Sequence, residues 1–128
     1  MDIKLMNNIL SIAQKETWRT SFDLIEPSVR QAVEALDAPA ISHLVFIGNG
    51  SSLYAGFYGA MLMEHVCHLP TTLHEGANSL YIPEAILKNA LVVGLSNSGE
   101  SPTVCDGIRR AKAMGAKTVA VSGNDAGT

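Results

Sequence analysis

Four short β-favouring runs, Leu44–Ile47, Thr71–His74, Leu91–Leu95 and Thr118–Val121, begin 27, 20 and 27 residues apart. Each of the first three is followed by a Gly-containing turn and a helix-like segment. Parallel neighbours cannot be joined by a tight hairpin; they need a crossover of a dozen or more residues, usually a helix. The spacing therefore predicts repeated βα units and a parallel sheet. Helices cover such a sheet on both faces, which accounts for the unbroken apolar stretch Leu91-Val92-Val93 where a half-exposed strand would alternate. The segment Ser51–Val66 is predicted as a helix, with Leu53, Phe57, Met61 and Tyr54, Tyr58, Leu62 as adjacent ridges. Its Ala55, Gly56, Gly59 and Ala60 are small. Interior helical glycines cost roughly 1 kcal/mol each against alanine, so close approach to the sheet or to another chain is the expected return.

The first forty residues carry no such strand. Ile3, Leu5, Met6, Ile9, Leu10 and Ile12 form one apolar stripe, and a second helix is predicted from Pro27, a residue suited to a first helical position. Val29, Ala32, Val33 and Leu36 continue it at helical spacing until Asp37-Ala38-Pro39. A chain of 128 residues that is 47% hydrophobic can bury roughly two-thirds of its unfolded surface in one domain, which excludes global disorder. Nine basic against twelve acidic residues, with no Lys/Arg cluster, argue against a dedicated nucleic-acid or anionic-membrane surface. The longest apolar runs fall far short of the ~20 residues of a membrane span, and polar residues interrupt the N-terminus where a secretion signal would be unbroken, so a cytoplasmic location is expected. Cys67 and Cys105 are too few and too separated for a metal motif and read as structural thiols; no metal and no cofactor is expected.

Open parallel sheets bind ligands beyond the carboxyl ends of their strands, and two loops there are unusual. Gly48-Asn49-Gly50-Ser51-Ser52 follows the first strand and precedes a helix. Its glycines allow backbone amides close to an anion, its hydroxyls add donors, and the helix contributes the positive end of its dipole. Ser96-Asn97-Ser98-Gly99-Glu100-Ser101-Pro102-Thr103 follows the third strand, placing four hydroxyls at a helix start with Pro102 where a missing N–H costs nothing. The first loop also reads as an ordinary turn with a serine cap, or as a dinucleotide fingerprint with Glu75 on the ribose. Leu53 stands at the third glycine position of that fingerprint and counts against it. Neither loop contains Lys or Arg, so an anion would be held by neutral donors and a helix dipole.

The pair Gly50-Ser51-Ser52 and Ser96-Asn97-Ser98-Gly99-Glu100-Ser101 resembles the sugar isomerase, or SIS, domain family, the second motif being the distinctive one. Lys117–Ser122 with Gly123-Asn124 is similar to the family's next strand and turn. The lead-in, with Glu16-Thr17-Trp18-Arg19, looks most like the N-terminal SIS domain of two-SIS proteins related to the isomerase half of glucosamine-6-phosphate synthase. The resemblance implies a three-layer αβα sandwich around a parallel sheet, a helical lead-in over 1–40 and the SIS domain over 41–128. It implies that Ser96, Asn97, Ser98 and Ser101 hold a sugar phosphate while Gly50, Ser51 and Ser52 line the sugar side. Asn97 stands where the synthase group has Gln, which bears on sugar preference. Thr103 is a further candidate. Glu75 matches a glutamate of the synthase-like loop, and Glu100 reads either as a general base or as an acid placed by the helix dipole.

His43, His65 and His68 read as packing or surface residues, His74 alone lies near the expected crevice, and Arg109-Arg110-Lys112 reads as a solvated face. No pair of groups suited to moving a proton between sugar carbons is present, so no catalytic residue is assigned. In the relatives those groups lie beyond the stretch that matches this chain. The resemblance thus points to a phosphosugar-binding domain of an enzyme that isomerises, deaminates or deglycates amino-sugar or fructosamine phosphates. The alternative is a sugar-phosphate-sensing SIS module of a transcription regulator. Residues 1–40 carry Lys4, Lys15, Arg19 and Arg30 against six acids, a net of 4 − 6 = −2, which disfavours a DNA-reading segment there. A homodimer is expected, with the small-residue face of the Ser51–Val66 helix as one surface. A fifth strand, expected from the family, would need roughly thirty further residues after Thr128.

Overall fold

The computed structural model describes residues 15–36 and 40–124. The chain divides after Leu36 into two compact units. In the first, helix α1 spans Lys15–Glu34 and contains Pro27 in its interior. The predicted start at Pro27 is therefore too late. Proline removes the one hydrogen bond its N–H would have given, and the helix continues across it with Arg30 Nη2 2.7 Å from Glu26 Oε1, an exposed i,i+4 ion pair. The predicted stripe from Ile3 to Ile12 lies outside the described residues.

The second unit runs β1 (His43–Gly48), α2 (Ser51–Cys67), β2 (Thr71–Glu75), α3 (Gly76–Ser79), α4 (Glu84–Leu87), β3 (Ala90–Ser96), α5 (Pro102–Ala113) and β4 (Lys117–Ser122). The strands form a parallel sheet of order β2-β1-β3-β4. All four lie where the apolar spacing predicts them. The crossover from β2 to β3 departs from the expectation of one helix: it holds two single-turn helices, because the 20-residue spacing is short and Pro83 stands before the second turn.

Alternation along the strands divides the core. Val45, Ile47 and Val92 face α5 and, with Val104, Ala111, Ile82 and Leu87, make a fully buried cluster. Phe46, Leu73 and Leu95 face α2, whose glycines let it settle onto the sheet. A side chain at Gly56 would sit 3.1 Å from Leu73 and 3.2 Å from Leu95, and one at Gly59 would meet the ring of Phe46 at 3.3 Å. The small-residue face of α2 is thus occupied by the chain's own sheet, which corrects its expected use between subunits. Its opposite face exposes Tyr54, Phe57, Tyr58, Met61 and Val66. On the other side Gly107 of α5 admits Ser79, whose buried hydroxyl donates to the Gly76 carbonyl at 2.6 Å.

Three smaller expectations change. Cys67 is exposed at the end of α2 and is not a core thiol, and Met61, one of the predicted ridge residues of that helix, is exposed and not packed. Arg110 is not part of a solvated face: its Nη1 is buried, whereas Arg109 pairs with Asp106 at 3.0 Å in solvent. His68 is a surface residue, within its expectation, and caps α2 in the left-handed region at φ 52°. Among the described residues no helix is long and apolar enough to cross a membrane.

Candidate functional site

The sheet's connectivity creates one crevice. Because the strands are parallel, their final residues share an edge: Gly48 of β1 lies opposite Glu75 of β2 and Leu95 of β3, and Ser96 lies opposite Ser122 of β4. From β1 the chain leaves to α2 on one face, and from β3 it leaves to α5 on the other. The opening between these diverging loops is the topological switch point, where open α/β sheets bind their ligands.

The first loop is shaped by two glycines with different duties. A Cβ at Gly48 would lie 3.1 Å from the Leu53 amide nitrogen, so its absence lets the first turn of α2 fold back on the strand. Gly50 caps α2 at φ 52°, ψ −127°, a conformation that side chains disfavour, although the space around it is open. Ser51 and Ser52 follow as the first helical residues, Ser51 exposed and Ser52 half-buried. The cap is the glycine backbone rather than the serine that an ordinary turn would use.

In the serine loop the protein engages every hydroxyl as an acceptor. Ser96 Oγ accepts the Gly99 N–H at 3.1 Å, and Ser98 Oγ accepts the Glu100 N–H at 3.2 Å. Gly99 makes the bend at φ 73°. Pro102 opens α5 at its first position, as expected, and Ser101 is the N-cap. Yet Ser101 makes no side-chain cap bond, an interaction ordinarily worth about 1 kcal/mol. Its Oγ instead accepts from Asn49 Nδ2 at 2.9 Å, and Thr103 Oγ1 accepts from the same nitrogen at 2.9 Å. Asn97 turns towards the end of β4: its carbonyl accepts the Gly123 N–H at 3.1 Å.

Asn49 is the residue that sequence reasoning missed. Besides its two hydroxyl partners, its Oδ1 accepts the Gly76 N–H at 2.9 Å, so one side chain joins the loops after β1, β2 and β3. Between two glycines an asparagine reads as a turn residue, and no spacing in the sequence couples it to partners 27, 52 and 54 positions away. Gly76 is required for this meeting, since a Cβ there would overlap Thr103 Oγ1 and lie 2.9 Å from Asn49 Oδ1.

The carboxylates stand apart from this node. Glu75 and Glu100 are exposed, and among the described residues neither side chain makes a hydrogen bond or ion pair. Glu100 precedes the N-cap and is not in the first turn of α5, because Pro102 fixes where that helix begins. His74 lies in β2 beside Ile47, and burial lowers its pKa below the ordinary 6.5. No group of three or more His, Cys, Asp or Glu able to hold a metal occurs among the described residues.

Comparison with known proteins places the fold. The family model for the SIS domain matches residues 40–128. The glutamine–fructose-6-phosphate aminotransferase of Thermus thermophilus is 32% identical over 87 residues, covering 68% of this chain and 14% of that protein. A candidate phosphosugar isomerase from Silicibacter pomeroyi superposes with a TM-score of 0.66 at 28% identity, over 76% of this chain and 30% of its own. A candidate phosphosugar isomerase from Bacteroides fragilis, involved in capsule formation, superposes with a TM-score of 0.67 over 95% of this chain and 66% of its own; at 22% identity it is a likeness of fold. This chain therefore spans a small part, about one-seventh, of the curated relatives it matches. With a family model matched over residues 40–128, which hold all four strands and their strand-end loops, the chain belongs to the SIS domain family.

Proposed function

We propose that the crevice between β1 and β3 binds a phosphorylated sugar or amino sugar. The observation that carries this reading is the serine loop, whose four hydroxyls at the end of β3 all accept hydrogen bonds and, among the described residues, donate none, so each has a proton to give. Ser96, Asn97, Ser98 and Ser101 hold the phosphate, with Thr103 beside them. Gly50, Ser51 and Ser52 line the sugar at the N-terminus of α2, whose dipole favours the anion. Exposed Glu75 and Glu100 stand at the rim, free to accept from sugar hydroxyls.

The domain serves a sugar-phosphate isomerase, aminotransferase-like or deglycating enzyme acting on amino-sugar or fructosamine phosphates. The similarity to the aminotransferase of Thermus thermophilus supports this over the sensing module of a regulator. The proton-moving groups are supplied from outside the residues described. The protein works in the cytoplasm as a homodimer, and the exposed aromatic face of α2 is a surface suited to that pairing.

The test is a melting experiment with fructose 6-phosphate, using fructose as the control. At one hundred times its dissociation constant a ligand adds roughly 2.7 kcal/mol of stability. The melting temperature should rise with the phosphorylated sugar alone, and Ser98→Ala should reduce the rise. An equal response to fructose, or an unchanged response in Ser98→Ala, refutes the assignment.

A further inference from the structure

We infer that Asn49 is a positioning residue that fixes the Ser101 and Thr103 hydroxyls as proton donors towards a bound phosphate. The inference rests on the phosphosugar reading above and names how that site is set for an anion. The orientation of the Asn49 amide is not arbitrary. The Gly76 backbone N–H can only donate, so the atom facing it at 2.9 Å must be the acceptor Oδ1. That leaves Nδ2 facing both hydroxyl oxygens at 2.9 Å, and an amide nitrogen can only donate.

Ser101 Oγ and Thr103 Oγ1 are thereby used as acceptors. Among the described residues neither hydroxyl donates a hydrogen bond. Each keeps one O–H that no described residue takes up, and whatever takes it up must be an acceptor. The missing side-chain cap at Ser101 belongs to the same arrangement: its oxygen is committed to Asn49, not to the first turn of α5. Ser96 and Ser98 are set the same way by the Gly99 and Glu100 amides within the loop. Asn49 extends that polarity to the half of the loop that its own backbone does not reach.

Asn49→Asp tests this directly. An aspartate still accepts the Gly76 N–H, so the fold retains that contact, but it turns both hydroxyls inward as donors. Binding of fructose 6-phosphate and of inorganic phosphate to the 128-residue chain is measured by titration calorimetry. Hydrogen bonds from these hydroxyls to a charged oxygen set an expected loss of about 10-fold per hydroxyl, or about 100-fold in all. Added charge would weaken binding by itself, so the same substitution is made in a Ser101→Ala/Thr103→Val background. Repulsion is common to both backgrounds and cancels in the cycle, whereas the hydroxyl effect vanishes from the second. Asn49→Ala is carried through the same cycle as an uncharged control, with urea midpoints of each unliganded variant. A loss at least about 10-fold smaller in the hydroxyl-free background supports the inference. Equal losses in both backgrounds, or an Asn49→Asp affinity within about two-fold of wild type, overturn it while leaving the phosphosugar reading intact. If the wild-type chain binds neither probe, the phosphosugar reading falls and the inference with it.

Discussion

Replacing Gly76 by alanine should damage the node between the three loops more than its small size suggests. The added methyl would overlap Thr103 Oγ1 and lie 2.9 Å from Asn49 Oδ1 and 3.0 Å from Thr103 Cβ. None of these neighbours is the free end of a long side chain. Thr103 is anchored in the first turn of α5, and the Asn49 oxygen is held by the Gly76 N–H itself. Relief requires the threonine to rotate, which breaks its 2.9 Å bond to Asn49, or α3 to shift against α5, where Gly107 already admits Ser79 without spare room. Overpacking of this kind costs about 1–3 kcal/mol, and the lost hydrogen bond about 1 kcal/mol more. A total of about 2–4 kcal/mol corresponds to a melting temperature lower by roughly 10 °C or more for a domain of this size. Urea unfolding followed by circular dichroism measures it. The geometry also demands coupling: in a Thr103→Ala background, which removes the overlapping oxygen, Gly76→Ala should cost at least about 1 kcal/mol less. A Gly76→Ala midpoint equal to wild type, or a cost identical in both backgrounds, refutes the crowding argument.

Two further outcomes follow from the same loops and strands. Gly50→Ala meets no atom within 4 Å, so its cost is conformational and should be about 1 kcal/mol or somewhat more, with no dependence on Thr103; a neutral substitution would contradict the left-handed cap. For His74, burial depresses the folded pKa below 6.5, so the unfolded chain takes up the proton first and its stabilising contribution, complete above 6.5, is lost as the pH falls through the folded value. His74→Gln should therefore lose less stability than wild type in urea midpoints taken from about pH 8 down to about pH 5, and parallel curves would remove His74 as the cause.

The parallel sheet was legible because its strands are apolar runs at crossover spacing, and burial on two faces leaves that mark in the residues themselves. The start of α5 was equally legible, since Pro102 tolerates few positions in a helix. Pro27 carried the same signal falsely: a proline also survives within a helix when the remaining bonds hold, as they do across Lys15–Glu34. The small residues of α2 announced a close approach but not what approaches, and Phe46 and Leu73 decided it. The least legible residue was Asn49. Its role depends on two amide hydrogens and one amide oxygen meeting groups from separate loops, a coincidence of three-dimensional position with no periodicity behind it.

This dependence on position follows from the kind of donors the loops contain. An arginine carries its charge wherever its chain reaches, and a phosphate finds it even when the geometry is loose. The loops at the switch point hold neither Arg nor Lys. A hydroxyl, by contrast, gives or accepts according to its neighbours, so a site built from Ser96, Ser98, Ser101 and Thr103 is selective for an anion only if something in the protein fixes which way each proton is given. Backbone N–H groups do this for the first two, and Asn49 does it for the others from across the crevice. Its position between Gly48 and Gly50 puts its amide within 2.9 Å of all three partners. Those two glycines bring the loop tight against α2 and turn it at a left-handed cap, which leaves the Asn49 side chain facing α3 and α5. The glycines, the asparagine and the serines therefore form one device: backbone freedom places an amide, and the amide gives neutral hydroxyls the fixed polarity that a charged side chain would have supplied unaided.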